Sequence, residues 1–379
     1  MRPIAISLAI AFLVAVRAAA EFAQPVPDTL EALGERLFFD VNLSVNRTQS
    51  CATCHDPEYG FADPRGMASI GDDGESIGDR NAPSAAYAAL TPVFHKTAEG
   101  LWAGGQFWDG RAPLLEDQAG GPPLNPMEMG MADAAAVVAR LNEDVTYQQA
   151  FEALFDGGVL ADPATGYAAM TQAIAAFERT EVFAPFDSKY DRFLRGEVDL
   201  TREEDLGRVL FFSQQFTNCN LCHQLGQSAI NPKETFTSYE FHNIGVPENT
   251  ALRALNGVEL CVIDEGLATN PDVEGDPNQR GKFKTPTLRN VAVTAPYMHN
   301  GVFEDLRTVV LFYNQFNTPN PKRQINPETG VPFRAPAVSA TLATEELTHG
   351  PALDDQRVDA IVAFLKTLTD ARYEPLLED

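Results

Sequence analysis

Basic residues are scarce in this chain of 379 amino acids. Lys and Arg number 28 against 53 Asp and Glu, which gives a formal net charge of -25 at pH 7. A protein this acidic is repelled by nucleic acids and by anionic membrane surfaces. The sequence therefore predicts no nucleic-acid partner and no membrane partner. Because acidic residues usually solvate a surface, the charge itself does not identify a partner.

Long apolar runs are almost absent as well. The most apolar segment covers only residues 4–16, which is shorter than the ~20 residues that a membrane-spanning helix needs. It lies between Arg2 and the small residues Ala18, Ala19 and Ala20, the order found in a secretory signal peptide. We expect residues 1–20 to be such a signal peptide and the mature protein to be periplasmic. An uncleaved anchor is the alternative.

Cysteine is rare, and four of the five cysteines form two Cys-x-x-Cys-His motifs. The motifs consist of Cys51, Cys54, His55 and of Cys219, Cys222, His223. In this motif each cysteine forms a thioether to a haem vinyl group and the histidine binds the iron. A lone Cys-x-x-Cys would also fit half a zinc site or a redox dithiol. Because histidine follows both pairs, the sequence predicts two covalent c-type haems, which bacteria attach outside the cytoplasm.

The fifth cysteine, Cys261, has no remaining cysteine with which to pair. Free cysteine behaves as a small hydrophobic residue and is usually buried. We therefore expect Cys261 to be a buried free thiol.

An internal repeat precedes the two motifs. Residues 34–39 read Gly-Glu-Arg-Leu-Phe-Phe, and residues 207–212 read Gly-Arg-Val-Leu-Phe-Phe. Apolar residues at helical spacing place each copy on an amphipathic helix. The stripes are Leu30, Leu33, Leu37 in the first helix and Leu206, Val209, Leu210 in the second, where Thr201 and Glu204 form a capping box. Because a helix followed by a haem motif begins a cytochrome c domain, the repeat predicts two such domains.

The remaining periodic segments are predicted to be helical too. They are residues 132–141, 147–155, 168–177 and 355–368, the last with a stripe of Val358, Ile361, Val362 and Leu365. The predicted fold is all-α, with two cytochrome c-like domains at 21–195 and 196–379, each holding one covalent haem. The Gly- and Pro-rich segments 63–81 and 269–281 are predicted to be long loops over the haems or mobile covers.

The first iron lacks an obvious second ligand. No histidine lies between His55 and His95, and Met67, the soft alternative, is more often an ordinary residue in such a glycine-rich loop. We expect this iron to be open to a small molecule. An open haem that cleaves peroxide needs a group that moves a proton between two oxygens, and Glu128 with Gln118 suits that role.

For the second haem the candidate ligand is Tyr313. Residues 306–313 are predicted to be helical, with Tyr313 on the same stripe as Leu306, Val309 and Val310. A tyrosine on such a stripe is more often a core residue than a ligand. The pattern alone therefore leaves its role open.

Several segments together resemble the bacterial di-haem cytochrome c peroxidase superfamily. Within it, they resemble the enzymes that complete the tryptophan tryptophylquinone cofactor of methylamine dehydrogenase. The resemblance covers nearly all of the chain after residue 20. The segments that carry it are residues 47–50, 104–111, 124–129, 186–190, 234–236, 242–245, 296–301 and 372–377.

The resemblance implies ligands and pocket residues for both haems. The first haem would react with oxygen species and be bound by His55 alone. The second would be bound by His223 and by Tyr313, where the peroxidases have methionine. Around the first haem the implied pocket residues are Gln118, Pro122 and Glu128.

The resemblance also implies residues between the haems. Trp108 would be the oxidisable residue between them. An interdomain calcium ion would be bound by Asn81, Thr294 and Pro296, since hard oxygen ligands suit this ion.

The function implied is the peroxide-dependent oxidation of tryptophans in precursor methylamine dehydrogenase. A thioether ligand favours ferrous iron, whereas a tyrosine oxygen favours higher oxidation states. One alternative is a peroxidase that takes electrons from a small cytochrome or cupredoxin, which Tyr313 argues against. The other is a non-enzymatic electron carrier, which an open first iron near Glu128 argues against.

One position departs from this resemblance. The related enzymes have a tryptophan just before the second haem motif, which serves as the surface step of the electron route. Here that position is Thr217, and the only tryptophans are Trp102 and Trp108. The exit route for electrons is therefore not predicted.

Overall fold

The computed structural model describes residues 25–217, 219–226, 230–273 and 275–377. The predicted signal peptide, residues 1–20, lies outside these ranges. Within them, no helix is long and apolar enough to cross a membrane.

Helices dominate the described chain. The α-helices are α1 (Leu30–Phe38), α2 (Cys51–Cys54), α3 (Leu115–Ala119), α4 (Ala134–Leu141), α5 (Val145–Leu154), α6 (Pro163–Glu178), α7 (Lys189–Leu194), α8 (Arg202–Phe211), α9 (Cys219–Cys222), α10 (Thr250–Asn256), α11 (Leu306–Asn314), α12 (Thr344–Leu347) and α13 (Asp355–Lys366). Short 3-10 helices cover Val41–Leu43, Ala88–Leu90, Pro122–Leu124, Val159–Ala161, Leu267–Thr269, Pro277–Gln279, Val291–Val293, Gln315–Asn317, Pro321–Gln324 and Ala371–Leu377.

Strands contribute little to the structure. β1 (His95–Lys96) pairs antiparallel with β2 (Trp102–Ala103), and β3 (Phe241–His242) pairs antiparallel with β4 (Phe283–Lys284). In the second pair Phe241 lies opposite Lys284, and His242 opposite Phe283. Since every one of these strands is two residues long, the prediction of a mainly helical fold is confirmed.

In the first half of the chain, α1 crosses α6 at very close range. Gly34 makes the crossing possible, because a Cβ at this position would lie 1.9 Å from the carbonyl oxygen of Ala173. Phe38, which is fully buried, packs against Phe177 and Phe183 with ring centroids 5.6 and 5.5 Å away. Burying one such ring contributes about 1.5–3 kcal/mol to folding. This crossing is the centre of the first core.

The second half repeats this arrangement. α8 crosses α13, and a Cβ at Gly207 would lie 1.8 Å from the carbonyl oxygen of Ala360. Phe211 and Phe364, both buried, pack with ring centroids 5.2 Å apart. The repeat in the sequence is therefore a repeated helix crossing, and each haem motif follows the first helix of its pair.

The predicted apolar stripe on α8 is partly wrong. Leu210 is buried, but Val209 is 48% exposed. The buried face runs instead through Gly207, Leu210 and Phe211. The reason is that α13 approaches at the glycine, which periodicity of large apolar residues does not mark.

The other predicted helices are present as α4, α5, α6 and α13. Of these, α6 begins at Pro163 rather than at residue 168. The side chain of Asp162 caps its first turn by accepting a hydrogen bond from the Thr165 amide. Proline is well suited to the first helical position, because its missing N–H has no partner there in any helix.

The prediction for Cys261 is wrong, because this thiol is exposed. Its Sγ lies 3.4 Å from Oε2 of Glu259. The segment runs over the surface, where Leu260 and Val262 are exposed as well. An apolar sequence in this segment therefore does not indicate burial.

A buried ion pair connects the two halves. Arg289 is 2% exposed and donates a 2.5 Å hydrogen bond to Oδ2 of Asp191. Its guanidinium lies 5.3 Å from the ring of Tyr87, in the first core, and 5.3 Å from the ring of Phe236, in the second. Removing one partner of such a pair would leave an uncompensated buried charge. Arg289 thus connects the two hydrophobic cores.

Candidate active site

Both Cys-x-x-Cys-His motifs have the same local structure. The cysteines form the short helices α2 and α9, and none of the four is in a disulfide. Nδ1 of His55 lies 3.2 Å from the carbonyl oxygen of Phe61, and Nδ1 of His223 lies 3.1 Å from that of Phe236. Because a carbonyl only accepts, Nδ1 carries the proton and Nε2 keeps its lone pair for a metal.

Burial sets the protonation of the motif residues. It lowers the pKa of His223 to about 4 and the pKa of His55 below its usual range. It also raises the pKa of Cys219 to about 11 and that of Cys51 above its usual range. Both rings are therefore neutral at pH 7, which is the form that binds iron.

The first motif opens onto a cavity of about 710 Å³, here named the first cavity. Cys51, Cys54 and His55 line it. The residues implied for the peroxide pocket line it too, namely Trp108, Gln118, Pro122 and Glu128. Met67 does not; its sulfur lies 3.2 Å from Nδ2 of Asn249. The structure thus brings every residue of the implied pocket to one wall.

Glu128 is held in this cavity by a hydrogen bond from a neighbouring side chain. Nδ2 of Asn125 donates a 2.9 Å hydrogen bond to its Oε1. Burial raises the pKa of Glu128, against the opposing effects of Asn125 and of the Arg111 charge. A carboxyl beside an open cavity is the type of group that can take a proton and give it back.

The second motif opens onto a smaller cavity of about 210 Å³, here named the second cavity. Cys219, Cys222, His223 and Tyr313 line it. Tyr313 lies in the last turn of α11, whose start is capped by Asp305. Burial raises the pKa of the Tyr313 phenol, and within the described residues no hydrogen bond engages its hydroxyl.

These residues fit two covalent haems. Each cavity offers a pair of free thiols and a neutral imidazole with an available nitrogen. The second cavity adds the unengaged phenol of Tyr313 in a wall that is mainly apolar. This donor set matches thioether attachment with histidine ligation in both cavities, and with a tyrosine oxygen in one.

Trp108 lies in the wall that the two cavities share. Its indole Nε1 donates a 2.8 Å hydrogen bond to the carbonyl oxygen of Asn81, and its own carbonyl accepts one of 2.9 Å from the amide of Lys284. The indole is therefore fixed between the cavities, where an oxidisable ring can exchange electrons with both.

The residues implied for calcium all line the first cavity; they are Asn81, Thr294 and Pro296. The Asn81 carbonyl is already bonded to Trp108, whereas its side-chain oxygen accepts no hydrogen bond among the described residues. No group of three or more His, Cys, Asp or Glu in the described chain is arranged to hold a metal ion. A cation here would be bound by amide and carbonyl oxygens.

Thr217, the position that departs from the resemblance, is not on the surface. It is 4% exposed and lines the second cavity. Its hydroxyl donates a 2.6 Å hydrogen bond to the carbonyl of Leu210. The neighbouring Phe216 lines the same cavity and is 43% exposed.

Three cavity residues were missed by the sequence reasoning. Glu178, at the end of α6, lines the first cavity; His242 lines the second; and Lys284 lines both. The signal for Glu178 was available, since it is the one charged residue in the 16-residue sequence of α6. For His242 and Lys284 the position depends on the pairing of β3 with β4, which two-residue strands do not reveal.

Comparison with known proteins finds relatives along the whole chain. The family described as di-haem cytochrome c peroxidase matches residues 28–199. Methylamine utilization protein MauG of Paracoccus denitrificans is 54% identical, with 98% of this chain and 96% of that protein covered. Cytochrome c peroxidase Ccp of Escherichia coli is 32% identical, with 94% and 62% covered. The crystal structure of the diheme peroxidase BthA from Burkholderia thailandensis aligns with a TM-score of 0.79 and 34% identity, covering 92% of this chain and 88% of that one.

Proposed function

Because this chain belongs to the di-haem cytochrome c peroxidase family, we propose that it uses hydrogen peroxide to oxidise tryptophan residues of a precursor protein. The substrate is precursor methylamine dehydrogenase, whose tryptophan tryptophylquinone cofactor is completed by this oxidation. The 54% identity to a methylamine utilization protein supports this activity above that of the peroxidases. Two c-type haems serve as cofactors, one in each of the domains 21–195 and 196–379. The signal peptide directs the protein to the periplasm.

The observation that carries this proposal is the position of Tyr313. The residue lines the second cavity together with His223 and the two cysteines of the motif. Its hydroxyl has no competing hydrogen bond in the described chain, so its oxygen would be available to an iron held by His223. An oxygen ligand favours the higher oxidation states of iron. Tyr313 thus equips this cavity to hold an oxidising equivalent rather than to receive electrons from a donor.

Peroxide is activated in the first cavity. When bound there, the haem supplies an iron at which the O–O bond of peroxide is cleaved. Glu128 takes a proton from one peroxide oxygen and returns it to the other. Gln118 orients the two peroxide oxygens by donating hydrogen bonds from its side-chain amide. Pro122 has no backbone N–H, so it does not compete with Gln118 for these oxygens.

Trp108 carries electrons between the two cavities. Its hydrogen bond to Asn81 fixes the indole in the shared wall. The tryptophans of the protein substrate are oxidised by electron transfer through Trp108. We further propose that Asn81, Thr294 and Pro296 bind calcium, which would hold the Asn81 backbone beside Trp108.

The test is to incubate the haem-loaded protein with peroxide and precursor methylamine dehydrogenase. The expected result is the absorbance of the completed quinone, and none when peroxide is omitted. The second candidate is a peroxidase, supported by the 32% identity to a cytochrome c peroxidase. Rapid consumption of a reduced small cytochrome or cupredoxin, without quinone formation, would establish that candidate instead.

A further inference from the structure

Glu178 is a buried carboxyl that the reaction described above does not use. It is 5% exposed and ends α6. Ile174, one helical turn earlier, lines the first cavity with it, so this face of α6 forms part of the cavity wall. Oε2 of Glu178 is buried and has no hydrogen-bond partner within the described residues. Because Glu178 lines the cavity and has a carboxyl oxygen without a protein partner in the described chain, it can bond to what occupies the cavity.

The charged neighbours of Glu178 leave it without a counter-ion. Arg179, the next residue, is paired with Glu116 of α3 at 2.8 Å. The other ionisable group beside Glu178 is the thiol of Cys51 on α2, and Glu128 lines the same cavity. Burial raises the pKa of Glu178 to about 8; Glu116 adds to this effect and Arg179 opposes it. Glu178 is therefore a neutral acid at pH 7.

The chemistry of the first cavity needs more protons than Glu128 can hold. In cleaving the O–O bond, Glu128 returns the proton that it took, so the first water forms without a net gain of protons. Releasing the second oxygen as water consumes two electrons and two protons. The electrons come from the protein that is oxidised. Glu128 ends the first step ionised, so it relays these protons but supplies neither: one comes from solvent, and a second protonated group in the same cavity can supply the other.

We propose that Glu178 is the second proton donor of the first cavity, passing its carboxyl proton through cavity water to Glu128. In this role Glu178 is a positioning residue that acts through Glu128 and not on peroxide directly. After each turnover Glu178 regains its proton from solvent at the cavity mouth, and Glu128 is again a carboxylate. The proposal rests on the reaction with peroxide proposed above, and it does not depend on the identity of the protein substrate.

The release of the second water should depend on pH, because only the neutral form of Glu178 can donate a proton. Below about pH 8 Glu178 carries the proton that it donates. As the pH rises through this value, Glu178 becomes a carboxylate and the second proton is lost. The step that releases the second water should then slow, while cleavage of the O–O bond continues.

The test compares Glu178→Gln, which keeps the shape of the side chain but has no acidic proton, with the wild-type holoenzyme. When Glu178→Gln is mixed with peroxide in a stopped-flow instrument, the first phase, which reports cleavage of the O–O bond, should be as fast as in the wild type. At pH 7 the return to the resting spectrum on adding a reductant should be about 100-fold slower, at the lower end of the range for a lost proton-transfer group. The wild-type return should also slow above about pH 8, and the variant should not show this transition.

Three comparisons make the result decisive. The infrared carbonyl band of a protonated carboxylic acid should be present in the wild type at pH 7 and missing in Glu178→Gln. Glu178→Asp keeps a carboxylic acid, so it should retain most of the wild-type rate of return to the resting spectrum. It also provides a second test if Glu178→Gln fails to bind haem. Glu116→Gln, which frees Arg179 and removes a negative charge beside Glu178 but leaves the Glu178 carboxyl in place, should move the pH transition to lower pH. The proposal for Glu178 would be overturned if Glu178→Gln returned to the resting spectrum at the wild-type rate with the wild-type pH profile, or if Glu178 were ionised at pH 7. A wild-type protein that reacts with peroxide but forms no quinone would instead refute the proposed protein substrate.

Discussion

The two cavities have the same frame but different walls. In each half a glycine, Gly34 or Gly207, allows two helices to cross at close range, and the motif histidine bonds to a phenylalanine carbonyl. The first cavity measures about 710 Å³ and has the carboxyls of Glu128 and Glu178 in its wall. The second measures about 210 Å³ and presents Tyr313.

This difference separates proton chemistry from electron storage. Cleaving peroxide requires room for a small molecule and groups that exchange protons, and the first cavity provides both. Storing an oxidising equivalent requires a hard ligand, which Tyr313 provides in the second cavity. We therefore propose that the duplicated frame positions both haems and that a few wall residues give each one its role.

The largest expected effect comes from removing one attachment site. Replacing Cys219 and Cys222 by serine should leave one covalent haem per chain and abolish oxidation of the protein substrate. A haem assay on denatured protein measures this directly. The control is Cys261→Ser, which should keep both haems because Cys261 is exposed and outside the motifs. If acid acetone extracts haem from the wild-type protein, that haem is not covalently attached, and the account of two matching haem sites is wrong.

The next largest effect should be confined to the first cavity. Glu128→Gln removes the ionisable group, while its remaining amide oxygen can still accept the hydrogen bond from Asn125. We expect the reaction with peroxide to slow by roughly 10²- to 10⁴-fold, the usual contribution of a proton-transfer group. The spectrum of the haem bound by His223 should not change. Stopped-flow spectroscopy measures both, and a variant as fast as the wild type would show that Glu128 moves no proton.

Removing calcium should affect both cavities at once. Asn81 is proposed to bind the ion and accepts the hydrogen bond of Trp108, so chelation should loosen the indole between the cavities. We expect altered haem spectra and a reversible loss of activity that added calcium restores. If protein shown by metal analysis to be free of calcium keeps both its spectra and its activity, the proposed site is wrong.

The smallest effect tests the shared frame itself. Gly34→Ala and Gly207→Ala each place a methyl group within 2 Å of a backbone carbonyl. Each should lower the free energy of unfolding by at least about 1–3 kcal/mol, the usual cost of overpacking. Gly66→Ala, where the nearest atom is 4.0 Å away, should change it by less than about 0.5 kcal/mol. Denaturant unfolding measures all three, and unequal costs at the two crossings would show that the halves are not equivalent.

Much of the frame could be predicted from the sequence. Local rules identify features that depend on neighbouring residues only: the two haem motifs, the amphipathic helices, and the capping box of Thr201 and Glu204, which the structure confirms. Val209 was misplaced because the buried face of a helix depends on where its partner approaches. Cys261 was misplaced because residue type alone does not say whether another element covers a segment.

The candidate site was less predictable. Glu128 was proposed from the proton transfer that an open haem needs, whereas Tyr313 was proposed as a ligand because of the resemblance to a family; periodicity alone left the role of Tyr313 open. Glu178 was overlooked because one acidic residue in an apolar helix gains meaning only when the helix is seen to line a cavity. Lys284 reaches both cavities through a two-residue strand, which has no recognisable periodicity.

The central claim is that the second cavity holds an oxidising equivalent because Tyr313 supplies its oxygen. The most direct measurement is the rate of quinone formation in precursor methylamine dehydrogenase by Tyr313→Met. Both haems should be retained, and the reduction potential of the haem bound by His223 should rise because a thioether stabilises the reduced state. Quinone formation should then fall by orders of magnitude, while the reaction with peroxide in the first cavity continues at the wild-type rate. A Tyr313→Met protein with both haems that still completes the quinone at the wild-type rate would contradict the claim.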